Sequence, residues 1–280
     1  MKPLLLENLT WPEVKKAVKA GVRTALFPLG STEEHGFHLP LSTDMVIAYE
    51  VAVRAASKVK ALVVPPLPFG VCRTTAPFPG TLTISLETLQ RIVEEVCLSL
   101  HSHGVRNIVL VPGHLGSAQL VGLELAAQRL VRLNPDLHMA IVRFPEVLRR
   151  QLAEGFIEDA EDLHAGEVET SLMLVLKPKL VKAELAQGAV GDDGLRTQVA
   201  DLLGRHGSCA ARGIRRGVRN GLKRTRLGVD REKIRATAET EIHGVVEGFP
   251  HGCNHHFHEL SSLLSGNVHR ANGGPPLPDC

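Results

Sequence analysis

The sequence predicts an α/β fold with a mostly parallel sheet covered by helices, and two observations support this prediction. Segments with helical character occur near residues 43–58, 86–103 and 117–133. Before, between and after them are short apolar runs that suit burial on both faces of a sheet, namely "TALFPLG", "ALVVPPLPFG", "NIVLVPGH" and "HMAIVRFP". Strands that alternate with helices form right-handed βαβ units, and the carboxyl ends of their strands meet at one edge of the sheet. Side chains distant in sequence can therefore meet at that edge.

Local signals predict the first helix and the first strand. Thr10 can cap a helix that has Pro12 in its first turn and Glu13 at the capping-box position. Gly21 suits the left-handed backbone conformation with which many helices end. The run "TALFPLG" follows at once and stops at Gly30, so we expect a buried strand directly after the helix.

The last regular signal is a helix over residues 165–178, "AGEVETSLMLVLKP", which stops near Pro178. Beyond it the periodicity weakens, and we find no internal repeat. We therefore predict one domain over residues 1–280, with a regular core in residues 1–180 and a less regular C-terminal part in residues 181–280.

Composition and charge exclude several classes of partner. The 280 residues are 44% hydrophobic, which suffices for a buried core, and 32 basic against 30 acidic residues leave a net charge of +2. This balance gives no reason to expect a nucleic acid or an anionic membrane as partner. The N-terminal segment lacks the apolar run of a signal peptide, and no run reaches the roughly 18 apolar residues of a membrane span. We expect a cytoplasmic protein with no membrane partner.

Two C-terminal segments have unusual compositions. Residues 212–235 are rich in Arg, Lys and Gly but lack the interleaved aromatic side chains of a nucleic-acid stacking surface, which favours a solvated or subunit-contacting face. "HGCNHHFH", residues 251–258, offers metal-binding side chains without a second cluster at zinc-finger spacing, which favours a flexible tail. The cysteines are odd in number and scattered, so we interpret them as free thiols: Cys72, Cys97, Cys209, Cys253 and Cys280.

Chemistry concentrates in "GSTEEHGFHLPLSTD", residues 30–44. Glu33 and His35 are two residues apart, so an extended segment directs both side chains to the same side. Asp44 stands at the start of the next predicted helix, and a carboxylate there could bridge two ions. His114, after the strand "NIVLVPGH", adds an imidazole at the same sheet edge.

Two further side chains complete the predicted site. Glu169 is a carboxylate, and His164 a candidate acid or base, at the entrance to the later helix. Two divalent ions about 3.5 to 4 Å apart would activate a shared water and polarise a carbonyl. The sequence thus predicts metal-assisted hydrolysis of an unreactive amide.

Each residue also has a simpler interpretation. A lone histidine at a strand end is more often a structural hydrogen-bonding group than a ligand, which applies to His114 taken alone. Glu34 faces away from Glu33 in an extended segment, so we expect it to be solvated or to support a ligand. His38 is equally compatible with a supporting role and with a plain loop position. Thr43 is the expected cap of the helix that carries Asp44.

The stretch "PLGSTEEHGFHLPLSTD" resembles the signature of the creatininase (creatinine amidohydrolase) family, in which E-x-H-G-x-H-L-P leads to an Asp. The resemblance continues through "FPGT" (78–81), "PGH" (112–114) and "HAGEVETS" (164–171), and covers about residues 1–180. It implies a three-layer α/β/α fold, two divalent ions per subunit of Zn²⁺ or Mn²⁺ type, with Fe²⁺ as an alternative, and a homo-oligomer, often a hexamer.

The resemblance also implies roles for individual residues. Glu33 and His114 would bind one metal ion, His35 the other, and Asp44 would bridge them. Glu169 is the candidate for the remaining carboxylate, because many members have a glycine, here Gly116, where creatininase has a Glu two residues after the metal-binding His. His164 is the residue expected to pass a proton to the leaving nitrogen.

Departures from the family pattern leave the substrate open. Leu115 and Ser117 replace a glycine and an asparagine in "PGHLGS", and Thr74 and Thr75 replace a common Glu-His pair. The motif is most similar to the mycofactocin-type peptidases, and the only tryptophan, Trp11, is not placed as creatininase places those over its substrate, so creatinine is not expected. We expect a metal-bound hydroxide to hydrolyse a non-standard C–N (amide) bond in a small molecule or short peptide. The alternative is a non-catalytic binding protein of the same fold.

Overall fold

The computed structural model describes residues 2–142 and 164–188. The strands within these ranges are β1 (Leu4–Leu5), β2 (Thr24–Leu29), β3 (Ala61–Val63), β4 (Asn107–Pro112) and β5 (His138–Ile141). The α-helices are α1 (Trp11–Lys19), α2 (Thr43–Lys58), α3 (Leu86–Ser102), α4 (Ser117–Leu133), α5 (Glu167–Leu176) and α6 (Ala183–Gly188). Short 3₁₀ turns cover Leu6–Asn8 and Pro178–Leu180.

The described strands form one parallel sheet in the order β1-β3-β2-β4-β5. The chain moves from β2 to β3 on one side and then crosses to β4 on the other side, so its winding direction changes between β2 and β4. Those two strands pair over their full length, from Thr24 opposite Asn107 to Leu29 opposite Pro112. Open α/β sheets bind ligands at such a point, beyond the carboxyl ends of the strands.

Alternation along the strands fills two cores, one on each face of the sheet. In β2, Ala25, Phe27 and Leu29 join a cluster with apolar residues of α3 and α4. Leu26 faces the opposite way and joins a cluster with apolar residues of α2 and with Met173 of α5. Strands that are buried on both faces explain the continuous apolar runs in the sequence. The α/β class and its three layers are confirmed.

The first helix and its caps match the sequence prediction. The Glu13 carboxylate accepts a hydrogen bond from the Thr10 backbone N–H at 2.7 Å, and Gly21 has a φ of 91° after the helix ends. The predicted helices over 43–58 and 117–133 are found with those bounds. Strand β1 was not predicted, because two residues are too short for a periodic signal.

The start of α2 lies directly against the ends of β2 and β4. A Cβ on Gly113 would lie 2.0 Å from the Asp44 carbonyl oxygen, and one on Gly30 would lie 2.4 Å from the Met45 Cα. Only glycine permits this approach without displacement. The two glycines therefore bring the first turn of α2, with Asp44, to the sheet edge.

Several predictions fall outside the described residues: the basic stretch 212–235, the segment 251–258, and Cys209, Cys253 and Cys280. Cys72 and Cys97 are free and buried. No helix in the described part of the chain is long and apolar enough to cross a membrane.

Candidate metal centre

The predicted site residues converge at the carboxyl edge of the sheet. The loop after β2 carries Glu33 and His35, the first turn of α2 carries Asp44, and the loop after β4 carries His114. Glu169 comes from the first turn of α5. Glu33, His35, Asp44 and His114 are all buried, and their contacts join residues 33 to 114 across three separate segments.

One group of possible ligands consists of Glu33, Cys72 and His114, whose donor atoms all lie within 4.8 Å of one another. His114 Nδ1 is 2.8 Å from Glu33 Oε2. His114 Nε2 is 3.2 Å from the Val71 carbonyl oxygen, which orients the ring with Nδ1 toward the carboxylates. We call these three residues the first ligand group.

The second ligand group consists of His35, His164 and Glu169, whose donor atoms also lie within 4.8 Å of one another. His35 Nε2 is 3.7 Å from Glu169 Oε2, and the His35 and His164 ring centroids are 4.4 Å apart. The backbone N–H of Ala165 donates to Glu169 Oε2 at 2.5 Å. Ala165 has a φ of 49°, a conformation that few residues other than glycine adopt.

Asp44 lies between the two groups. Its Oδ1 is 2.9 Å from His35 Nε2, and its Oδ2 is 3.2 Å from His114 Nδ1. The Ser31 hydroxyl donates to Oδ2 at 2.7 Å, which fixes the orientation of the carboxylate. Each carboxylate oxygen therefore faces one ligand group, as a bridging ligand requires.

The electrostatics of the site favour a cation. Burial raises the pKa of Asp44, but His35 and His114 outweigh it and hold that pKa well below its ordinary value. Burial lowers the pKa of His114, but Asp44 and Glu33 raise it to about 10. In the same way Asp44 and Glu169 raise the pKa of His35 well above its ordinary value despite its burial. Without a metal ion, protonated imidazoles compensate the buried carboxylates, and divalent ions could take over that role.

Glu169, the acidic residue of the second ligand group, differs from Asp44 in the direction of its pKa shift. Burial raises the pKa of Glu169 above its ordinary value, although the charges of His35 and His164 act against it.

The donor set as a whole, with carboxylate oxygens, imidazole nitrogens and one thiol, fits divalent ions of the zinc or manganese type.

The structure agrees with the second of the two roles expected for Glu34, that of a supporting residue. It is buried, its carbonyl oxygen accepts from His164 Nε2 at 2.7 Å, and its Oε1 is 3.4 Å from the same atom. Thr43 is the first residue of α2 rather than its cap, because Ser42 occupies the cap position and the Thr43 hydroxyl donates to the Pro40 carbonyl at 2.7 Å.

Thr75, which replaces one residue of the family's Glu-His pair, lies against a predicted metal ligand. Its side chain is buried, and its hydroxyl donates to Glu33 Oε1. His38, for which two interpretations were open, is buried with Nε2 2.8 Å from the Thr170 hydroxyl, which favours a supporting role.

Sequence reasoning missed Cys72 as a site residue. It precedes Thr74 and Thr75 in the motif "FGVCRTTAPFPG", so the position in that motif was the available signal. Burial, together with the charge of Glu33, raises the pKa of its thiol to about 12. His164, expected as an acid or base, also has its donor atom within 4.8 Å of those of His35 and Glu169, so it could share an ion with them.

A parallel α/β sheet with buried carboxylates and imidazoles at its carboxyl edge is typical of metallohydrolases. Comparison with known proteins narrows this class. The chain belongs to the creatininase family, since the family model described as creatinine amidohydrolase matches residues 7–244. The match extends beyond residue 180, where the recognisable motifs end.

Individual relatives agree with the family assignment. The chain is 32% identical to a creatinine amidohydrolase from Pseudomonas putida over 64% of its own length and 74% of the relative. It is also 32% identical to a mycofactocin precursor peptide peptidase from Mycolicibacterium smegmatis, over 56% of the chain and 59% of the relative. The matched stretch thus spans less than two thirds of that peptidase.

Solved structures give the same result. A manganese form of creatininase is 30% identical with a TM-score of 0.56, over 65% of this chain and 76% of the other. A creatinine amidohydrolase crystal structure is 27% identical with a TM-score of 0.65, over 90% of this chain and 100% of the other. A Zn-Zn form of a creatininase variant is 26% identical with a TM-score of 0.63, over 89% of this chain and 100% of the other. Homologues with this fold therefore exist in manganese and zinc forms.

Proposed function

We propose that this protein is a metal-dependent amidohydrolase that cleaves a C–N (amide) bond, other than an ordinary peptide bond, in a small molecule or short peptide. The position of Asp44 carries the proposal, because its two oxygens face two separate groups of possible ligands at 2.9 and 3.2 Å. A carboxylate with one oxygen toward each group is what a two-metal site needs.

The proposed ligands divide between the two ions. Glu33 and His114 would hold one ion, His35 and Glu169 would hold the other, and Asp44 would contribute one oxygen to each. The ions are Zn²⁺ or Mn²⁺, with Fe²⁺ as an alternative, and when bound they supply the acidification of water and the polarisation of the scissile carbonyl. Ser31 and Thr75 hold the Asp44 and Glu33 carboxylates in orientation through their hydroxyls.

We assign proton transfer to the leaving nitrogen to His164. Its side chain is 18% exposed at the edge of the site, whereas His35 is fully buried. The hydrogen bond from Nε2 to the Glu34 carbonyl fixes the ring, and the nearby Glu34 carboxylate favours the protonated imidazole that a proton donor requires.

The relatives do not define one substrate class. Equal identity to a creatinine amidohydrolase and to a mycofactocin precursor peptide peptidase favours neither a cyclic nor a peptide amide. The protein is also proposed to form a homo-oligomer, with a hexamer as the first candidate, by analogy with its family. Light scattering tests this part, and a monomer of 30.3 kDa at micromolar concentration would contradict it.

The experiment that tests the function combines metal analysis with a substrate panel. The purified protein should contain about two equivalents of divalent metal and should hydrolyse at least one member of a panel of cyclic amides, formamides and short peptides. Chelation should abolish turnover, and Zn²⁺ or Mn²⁺ should restore it. Full metal occupancy without hydrolysis of any member would favour the non-catalytic binding protein instead.

A further inference from the structure

We propose that Cys72 is a thiolate ligand of the metal ion that Glu33 and His114 hold, so that one of the two metal positions has a sulfur donor and the other has none. This inference rests on the proposed function, because it concerns the same pair of ions. It assigns a soft-metal preference to one half of the site.

The geometry of the first ligand group supports the proposal. The donor atoms of Glu33, Cys72 and His114 all lie within 4.8 Å of one another. Donors about 2.0 to 2.3 Å from a tetrahedral ion are separated by roughly 3.3 to 3.8 Å. Changes of at most about 1.5 Å in the separations of these donor atoms would therefore place all three around one ion.

The backbone holds Cys72 in place from both sides. Its N–H donates to the Thr83 hydroxyl at 3.0 Å, and the N–H of Val71 donates to Gln119 Oε1 at 3.0 Å. The Val71 carbonyl accepts from His114 Nε2, so the same segment that presents the thiol also orients the imidazole. A ligating histidine whose other nitrogen is held by a backbone carbonyl is the usual arrangement in metal sites.

The surroundings of the two described cysteines differ. Cys97 lies within the apolar cluster between α3, α4 and the sheet, where a thiol acts as a small hydrophobic side chain. Cys72 belongs to neither apolar cluster, and its thiol instead contacts the Ser31 and Glu33 side chains. Apolar packing therefore explains the burial of Cys97, whereas the position of Cys72 is explained by its contacts with candidate ligand side chains.

Ligation replaces the thiol proton with the ion: the S–H bond breaks, the proton leaves to solvent, and a sulfur–metal bond forms. The second ligand group offers only imidazole nitrogens and a carboxylate. Thiolate favours zinc over manganese, whereas carboxylate and imidazole accept both. We therefore expect the first position to select Zn²⁺ and the second to be less selective.

Cobalt(II) is the probe, because a cobalt–thiolate bond gives an intense near-ultraviolet charge-transfer absorption that nitrogen and oxygen ligands do not give. The full-length apoprotein is titrated with Co²⁺ alone. The expected result is this absorption with one equivalent of cobalt in the wild type, and its loss in Cys72→Ser while cobalt still binds. Cys253→Ser is the matched control, because Cys253 lies among histidines in 251–258, and it should keep the absorption.

A second variant covers the case in which Cys72→Ser fails to fold. It combines Cys97→Ala, Cys209→Ser, Cys253→Ser and Cys280→Ser, so that Cys72 is the only thiol left, and it should retain the absorption. Zinc competition adds a readout independent of cobalt, since Cys72→Ser should lower the preference for Zn²⁺ over Mn²⁺ at one position at least tenfold.

The possible failures are distinguishable. Two cobalt ions bound without charge-transfer absorption would overturn the role of Cys72 and leave the proposed function standing. Absorption that persists in Cys72→Ser and disappears in Cys253→Ser would also overturn it. No cobalt binding at all would overturn both proposals.

Discussion

The two ligand groups are built in different ways. Glu33 and His114 follow the adjacent central strands β2 and β4, and their side chains are 2% and 9% exposed. His164 precedes α5 and Glu169 lies in its first turn, and their side chains are 18% and 20% exposed. Glu33 and His114 of the first group are thus placed by the sheet. In the second group only His35 follows β2, and the positions of His164 and Glu169 depend on how α5 packs onto α2.

This difference has consequences for metal binding. Pairing of β2 with β4 sets the distance between Glu33 and His114. Glu169 keeps its position through the apolar contact of Met173 with α2 and through the ion pair of Lys177 with Glu50 at 2.9 Å. We expect the first position to bind its ion more tightly, and the second to respond to changes at the α2–α5 contact.

The largest effect is expected on removal of the Asp44 carboxylate, which lies between the two ligand groups. Asp44→Ala should lose both metal ions and lower turnover at least a thousandfold. Each ion would lose a ligand, and the negative charge that offsets the repulsion between the two cations would be gone. Elemental analysis and single-substrate kinetics measure this. Asp136→Ala, an exposed residue paired with Arg106, serves as control. Full occupancy in Asp44→Ala would refute the bridging role.

The next effect concerns the second group alone. His164→Ala should lower turnover about a hundredfold with both ions retained, if His164 transfers a proton. Loss of one ion would instead make it a ligand with His35 and Glu169, as their proximity permits. Metal content per subunit decides between these roles. His101→Ala, whose ring pairs with the exposed Asp136, is the matched histidine control.

The same contrast explains how far the sequence could predict the site. Strand ends and helix starts have local signals, so Asp44 and His114 could be placed at the sheet edge from periodicity alone. The family resemblance then indicated Glu169 as the remaining carboxylate ligand, in the second group. For Cys72 the available signal was its position in the motif "FGVCRTTAPFPG", and this was not enough, because its proximity to His114 depends on the loop after β3 meeting the loop after β4.

Glu34 shows a second limit. The two-residue alternation of an extended segment predicts that Glu34 faces away from Glu33, but it does not reveal what covers its side chain. There the segment at His164 packs against it, 130 residues later in the chain. Local periodicity gives the direction of a side chain, whereas only tertiary packing decides whether that direction is solvent.

A smaller effect tests the sheet's role in placing Asp44. Gly113→Ala should destabilise the fold by about 2 to 3 kcal/mol and weaken metal binding, because the new Cβ would lie 2.0 Å from the Asp44 carbonyl oxygen. Gly21→Ala is the matched control, since its φ of 91° costs about 1 kcal/mol but nothing lies near its Cβ. Denaturant unfolding and metal affinity measure both variants. Unchanged metal affinity in Gly113→Ala would contradict the proposed placement.

The smallest effect concerns the contact that holds α5 on α2. Burial raises the pKa of Glu50, but Lys177 and Arg54 outweigh it, so the pKa lies below its ordinary value. The stabilisation is therefore fully present above the unfolded-state pKa of about 4.3 and is lost as the pH falls through the lower folded-state pKa. Glu50→Gln should cost about 0.5 to 1 kcal/mol at pH 7, a difference that shrinks below about pH 4. Glu95→Gln, an exposed residue of α3 without an ion pair among the described residues, should cost less. Denaturant midpoints of the three proteins at several pH values test this, and a difference between wild type and Glu50→Gln that grows on acidification would contradict it.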